Sequence, residues 1–395
     1  MRIGAALSLN PEARSAAAEA TLEAARRLGE REPNLAIVFA SAHFAQQAEA
    51  IVGAVHEAAT PQALAGCVAE AVVGTGREVE RRPAVSVWLA SLEAKVRTFH
   101  SEFSQTNGRA AFSGWPEAPA GAYLLIADPF SFPVDLLLKS MNERPPGSPF
   151  IAGGVASGGR SPGETRLFMD RKVMDSGAVG VALTGNVEVV ALVSQGCRPI
   201  GPVLTVTRSE GNVIFELGGK APVQRIQELY ASLPEHDREL MAEGLLVGRV
   251  IDEYKTELER GDFLVRGVVG ADPDSGAIAV GDAVAVGETI QFQVRDEASA
   301  DEDLRTTLKV ARDRVGDRSI AGGLLFTCNG RGSRMFSTPD HDAALLASEL
   351  DDPPIAGFFC AGELGPVGNK NFLHGFTASM ALFSEEPEDT VRTSS

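Results

Sequence analysis

Cysteine is scarce in this chain of 395 residues. The four that occur, at 67, 197, 328 and 360, form neither a Cys-x-x-Cys pair nor a ladder of spacings. A disulfide scaffold is thereby excluded, and a reducing, cytoplasmic setting is expected. Positive charge is also short, with 36 Lys and Arg against 53 Asp and Glu for a net charge of −17. Such a chain repels polyanions, and its basic residues are scattered, so neither nucleic acid nor an anionic membrane is an expected partner. Long apolar runs are missing too: the best candidate, Gly177 to Val193, is interrupted by Asn186 and Glu188, which argues against a membrane-spanning helix. The opening MRIGAALSLNPEARS lacks the basic, apolar, small-residue order of a secretory signal. Nor is there a GxSxG elbow, a phosphate-binding GxxxxGK[ST] loop or an HExxH motif, and the six His never stand at i, i+4.

What remains is ample for a core. Hydrophobic residues make up 44% of the chain, and its length suits two or three domains at roughly 150 residues each. Glycine is abundant, at 41 residues, so many tight turns or close backbone approaches are expected. Ala16 to Arg27 is rich in strong helix formers, and helices are also expected at Phe44–Glu57, Val223–Leu233, Asp301–Val315 and His341–Leu350. Short apolar runs bounded by Gly, Pro or Asp, at Leu35–Ala40, Ala84–Leu89, Tyr123–Ala127, Gly177–Leu183 and Val187–Val193, suit buried strands. Val203–Val206 and Asn212–Leu217 flank TRSEG and read as a hairpin. Alternating strands dominate Leu245–Val294. Strands apolar on both faces, with amphipathic helices, imply an α/β or α+β fold in two lobes of layered mixed β-sheets covered by helices. The expected domains are 1–235 and 236–386, followed by a disordered tail at 387–395.

Three segments share one plan: an apolar strand, an excursion, an [Ile/Leu]-Ala-Gly turn and a further strand. They run IVFAS (37–41), LAGCVAEAVVG (64–74) and VSVWLASL (85–92); then LLIAD (124–128), IAGGVASGG (151–159) and GAVGVALTG (177–185); then LLFTC (324–328), IAGFFCAGELG (355–365) and FTASMALF (376–383). Aligning Phe39, Ile126 and Phe326 puts the following Leu64, Ile151 and Ile355 at separations of 25, 25 and 29 residues. An internal duplication is expected, with Ser41, Asp128 and Cys328 at equivalent strand ends. The glycine-rich GGVASGG is better explained by this repeat than by phosphate binding.

Two stretches carry candidate chemistry. In LLFTCNGRG a strand ends in Cys328 and Asn329, and glycines flank Arg331, whose guanidinium suits bidentate clamping of a carboxylate. GFFCAGELGP then presents Glu363, and NFLHGFT presents His374, so Cys328, Arg331, Glu363 and His374 are expected on a pocket rim. Set against this, Cys328 reads as a buried small hydrophobe, Glu363 as the partner of Arg331, and His374 as a turn cap. The second stretch, VSQGCRPIGP, places Ser194, Gln195, Cys197 and Arg198 between two strands; it reads as a cleft-lining loop or as a rigid crossover whose arginine meets an acid.

At these motifs the chain resembles the FIST family, nearly over its full length. IVFASAHF, VSQGCRPIGPVLTVTRSEGNVIFELGGKAP (193–222), FLVRGVVG, LLFTCNGRG, GFFCAGELGPVG and NFLHGFTASMALF carry the resemblance. It implies a cytoplasmic sensory protein that binds a small ligand, an amino acid or related metabolite, and passes the signal to a protein partner. Some relatives bind haem, which enters here as a minor alternative; no cofactor is otherwise expected. The first segment reads GCVAEAV where the family commonly has an AGE ending, so a site built on that glutamate is not expected there, whereas GFFCAGE keeps the pattern. A stand-alone sensor domain is therefore the leading expectation. A Cys-dependent hydrolase or transferase using Cys328 and a protein-interaction scaffold are the alternatives, and the oligomeric state is left open.

Overall fold

The structure is a computed structural model that describes residues 1–106, 109–117, 120–143, 149–185 and 187–384; the expected tail at 387–395 lies outside them. It is a mixed α/β fold of several layered sheets. The chain divides into two compact units. One comprises Met1–Val193, Leu304–Leu373 and the chain from Ala378; the other comprises Ser194–Asp303 with His374–Thr377. The sequence boundary at 235 falls inside the second unit, at the first residue of helix Glu235–Glu243.

In the first unit, the three aligned segments share one pattern of strand pairing. In each, a first strand lies parallel to a second: Leu35–Ser41 beside Leu64–Ala69, Ala122–Ala127 beside Phe150–Val155, and Ile320–Cys328 beside Ile355–Cys360. Each pair is joined by an excursion containing a helix, namely Ala48–Ala59, Val134–Asn142 or His341–Glu349. A third strand, Val85–Ser91, Ala178–Gly185 or Thr377–Ser384, then pairs antiparallel on the far side of the first. An outer strand flanks each third strand: Arg2–Ser8, Ala94–Thr106 or Glu188–Gln195. The registers agree as well, with Phe39 opposite Cys67, Ile126 opposite Gly154, and Phe326 opposite Phe358.

Each segment also gives a short strand to another segment's sheet. Val72–Gly74 of the first pairs with Ile355–Cys360 of the third, Leu167–Met169 of the second with Leu64–Ala69 of the first, and Glu363–Val367 of the third with Phe150–Val155 of the second. The exchange is cyclic, so every sheet is completed by a neighbour.

Alternation along the strands explains the uninterrupted apolar runs, since both faces are buried. Ile37 and Phe39, Leu124 and Ile126, and Leu324 and Phe326 point into one central core with Trp88, Phe358 and Phe383. Val38, Leu125 and Leu325 point outward, each into a separate cluster beneath its helices. Helix Ala13–Leu28 buries a stripe of Ala13, Ala16, Ala17, Ala20 and Ala24. This small-residue stripe lets it lie close on the first strand, where a Cβ at Gly4 would stand 2.2 Å from the Ala24 carbonyl oxygen.

The second unit is a closed antiparallel barrel. Around it run Leu204–Glu210, Val213–Leu217, Ile278–Val280, Phe263–Ala271, Leu246–Val250 and Thr289–Arg295, and the last pairs back with the first. The TRSEG hairpin is its first pair of strands. Helix Glu235–Glu243 occupies a stretch that the sequence pattern marks only as a break between strands. Ala94–Thr106 and Arg109–Ser113 form a hairpin that no apolar run announces, because their alternating positions are mostly polar.

The [Ile/Leu]-Ala-Gly triplets, expected as turns, lie inside the second strands, and their Gly is dictated by the parallel neighbour. A Cβ on Gly66, Gly153 or Gly357 would stand 1.8, 1.9 or 1.9 Å from the carbonyl oxygen of Val38, Leu125 or Leu325. Backbone cannot yield as a flexible side chain can, so Gly357→Ala is expected to cost about 3 kcal/mol or more, the upper end of overpacking penalties. Gly53, in helix Ala48–Ala59, has nothing within 4 Å of an added Cβ, and Gly53→Ala should stabilise by about 1 kcal/mol. Urea unfolding of the two variants checks the opposite signs.

Candidate functional site

The carboxyl end of strand Ile320–Cys328 opens into Asn329–Gly330–Arg331, the turn singled out from the sequence. Arg331 is wholly buried, and its bidentate partner belongs to the chain itself: Nε and Nη2 each donate to Asp342 at 2.7 Å. Thr327 Oγ1 donates to the same carboxylate at 2.7 Å. The guanidinium also lies over the Phe336 ring, 5.1 Å from its centroid, and that ring stacks on His341 at 3.5 Å. Burial alone would raise the Asp342 carboxyl, but the Arg331 charge and hydrogen bonds outweigh it and hold Asp342 well below the usual carboxylate range. Arg331 therefore pairs with Asp342 rather than with Glu363. Two buried polar atoms of this turn, Arg331 Nη1 and Asn329 Oδ1, find no hydrogen-bond partner among the described residues.

Glu78 completes the cluster from the hairpin strand Arg77–Val79. It accepts from the Ala343 N–H at 3.1 Å. Burial, reinforced by the negative charge of Asp342, pushes its carboxyl up to about 8.

Glu363 is likewise wholly buried, and the strand exchange shows why it is unusual. It stands opposite Gly154, as Val72 stands opposite Phe358 and Leu167 opposite Cys67. Two of the three equivalent positions are apolar core, and the third is a carboxylate. Gly154 makes room beside it: an added Cβ there would be 2.3 Å from Cys360 Sγ. Cys360 is in turn the register partner of Cys328. Burial pushes the Cys360 thiol up, and the neighbouring Glu363, Cys67 and Cys328 add to this. Cys328, Cys360, Glu363 and Cys67 thus gather at one end of the central core. Cys67 and Cys360 were not singled out as site residues from the sequence, because a cysteine inside an apolar run carries no signal of what faces it.

The other expected residues belong to the second unit. Ser194 Oγ and the Gln195 N–H both donate to Asp303 Oδ2, at 2.8 and 2.7 Å, and Gln195 Nε2 donates to the Phe263 carbonyl at 2.9 Å. Gln195 Oε1 is buried with no hydrogen-bond partner among the described residues. Arg198 is held by Asp237 and by Asp296, the latter at 2.5 Å, as the crossover reading required of its arginine. His374 is buried at the start of the short return into this unit. The glycines of GGVASGG are accounted for by packing: added Cβ atoms at Gly158 and Gly159 would stand 2.6 and 2.8 Å from the Val68 carbonyl oxygen and the Thr165 nitrogen. Among the described residues no three His, Cys, Asp or Glu are gathered to hold a metal ion, and no helix is long and apolar enough to cross a membrane.

A three-segment α/β unit with cyclic strand exchange, interrupted by a closed barrel, defines the class of this protein. A FIST N domain model matches residues 34–220 and a FIST C domain model matches residues 222–366, and the chain belongs to the FIST family. It is 48% identical over 385 residues to the uncharacterized protein Rv0628c of Mycobacterium tuberculosis, covering 97% of this chain and all of that relative. It is 46% identical over 390 residues to the uncharacterized protein Mb0898c of Mycobacterium bovis, again over that protein's full length and 98% of this chain.

Three expectations follow from the site. Removing one partner of a buried ion pair leaves an uncompensated charge, so Arg331→Ala should destabilise by about 3–5 kcal/mol, read from urea midpoints. The Glu78 carboxyl is raised on folding, so its stabilising contribution is complete below about pH 4.5 and is lost as pH rises through about 8. Glu78→Gln should flatten that part of the pH–stability curve. Among the thiols, Cys328 is partly exposed while Cys67, Cys197 and Cys360 are buried, so a maleimide should label Cys328 first in the native protein.

Proposed function

We propose that this protein is a cytoplasmic sensor that binds a small metabolite, an amino acid or a related carboxylate, and reports it to a signalling partner. FIST domains are associated with sensory signal transduction, which supports the class. One observation carries the choice of ligand: the Asn329–Arg331 turn holds a buried donor, Arg331 Nη1, and a buried acceptor, Asn329 Oδ1, that the described residues leave unsatisfied. Such groups cost about 1–3 kcal/mol each when unmet. A molecule with a carboxylate for the guanidinium and an ammonium for the amide oxygen would satisfy both. The turn sits at the carboxyl end of a parallel strand, where open α/β sheets bind ligands.

The ligand contacts proposed in the first unit are Cys328, Asn329, Arg331 through Nη1, and Glu363; within the second unit, Ser194, Gln195, Arg198 and His374 are proposed as a separate set. The division into domains at 1–235 and 236–386 and the origin of the three segments by duplication are part of the same reading. The shared strand pairing supports the duplication.

Thermal shift tests it. A ligand that binds only the folded state stabilises by about 2.7 kcal/mol at a hundredfold excess over Kd. At roughly 2–4 °C per kcal/mol, a shift of about 5–10 °C is expected in a screen of free amino acids, small carboxylates and haem. Asn329→Ala and Glu363→Gln should abolish the shift. Retention of the full shift in both variants would remove the site from this turn.

A further inference from the structure

We propose that Cys328 and Cys360 form a reversible disulfide in response to hydrogen peroxide, with Cys328 as the reacting thiol and Cys360 as the resolving one. The two residues end adjacent parallel strands and are direct register partners. Side chains alternate along a strand, so Cys328 follows Leu324 and Phe326 onto the core face, as Cys360 follows Ala356 and Phe358. Neighbouring strands lie about 4.8 Å apart, inside the range of roughly 4.4–6.8 Å between Cα atoms that a disulfide accepts. Register partners at that spacing fall within the Cα range of a disulfide.

The two thiols differ as the two roles require. Cys328 is partly exposed and reachable by a small oxidant. The Gly330 N–H donates to its sulfur at 3.4 Å, and Arg331 and Arg334 lie close enough to interact with a charge on it. An electropositive, accessible setting of this kind marks reactive cysteines. Cys360 is wholly buried beside Glu363, and its surroundings keep it protonated, so it meets oxidant only through Cys328.

In the first step the Cys328 thiolate attacks one peroxide oxygen, the O–O bond breaks, and the departing hydroxide takes up a proton as water, leaving a sulfenic acid. In the second, the Cys360 sulfur attacks the Cys328 sulfur. The S–O bond breaks, the S–S bond forms, and the leaving hydroxide departs as water with the Cys360 proton. Two thiols and one peroxide thus become one disulfide and two waters.

The experiment treats the full-length native protein with equimolar hydrogen peroxide, alkylates the remaining thiols and maps peptides by mass spectrometry. The expected product is a cross-linked peptide joining 328 to 360, lighter by two hydrogens and restored by dithiothreitol. Cys360→Ala should instead accumulate a dimedone-reactive sulfenic acid on Cys328, and Cys328→Ser should leave Cys360 reduced. Circular dichroism of each variant separates a lost reaction from a lost fold. A cross-link between Cys67 and Cys360, or a wild-type sulfenic acid on Cys328 that never resolves, would overturn the assignment.

Discussion

The central core of the first unit is assembled from three segments that cannot complete their own sheets. Phe39, Ile126 and Phe326 occupy matching positions on three first strands and point into the same interior. The strand that finishes each sheet comes from another segment. An unfinished sheet would leave a row of unpaired backbone groups at its edge, so burial of the core and closure of the edges are met by the same exchange. The close approach of parallel backbones at Gly66, Gly153 and Gly357 recurs once per segment, and it fixes the residue type there more tightly than side-chain packing does.

Near-equivalence of the three segments also exposes what differs among them. At the hairpin position facing the second strand, Val72 and Leu167 continue the core, while Glu363 places a carboxylate in it. At the ends of the first strands, Ser41 accepts from the Ala84 N–H just before the third strand, and Asp128 accepts from Ser131 in a local turn. Cys328 instead leads into a turn anchored by a buried ion pair. The third segment therefore supplies most of the buried ionisable and thiol groups gathered here, with Cys67 and Glu78 added by the first. Burying a charge is costly unless it is paired and hydrogen-bonded, and the Arg331–Asp342 pair meets that condition with Thr327 and His341 also on the carboxylate.

The ion pair alters the meaning of the sequence motif. Glycines on either side of an arginine suggest a side chain free to reach a ligand, yet most of this guanidinium is held inside the protein by an aspartate eleven residues on. Its remaining nitrogen and the neighbouring Asn329 amide oxygen are buried without a hydrogen-bond partner among the described residues. Arg198 follows the same logic in the second unit, where Asp237 and Asp296 hold it. In both stretches the arginine shapes the turn.

The strands with apolar residues on both faces, the alanine-striped helix, the TRSEG hairpin and the spacing of the three segments were all legible in the sequence, because each rests on local periodicity or on a motif recurring at a fixed distance. The polar strand pair Ala94–Thr106 and Arg109–Ser113 was not, since an outer strand with one solvated face needs no apolar run. Cys328, Asn329 and Glu363 could be named from their place at strand ends beside glycines. That Arg331 meets Asp342, that Glu78 joins them from a hairpin about 250 residues earlier, and that Cys360 lies between Cys328 and Gly154 were decided only by the tertiary structure. Those contacts join segments far apart in the chain through an exchange of strands, and no local pattern records which sheet a short strand will complete.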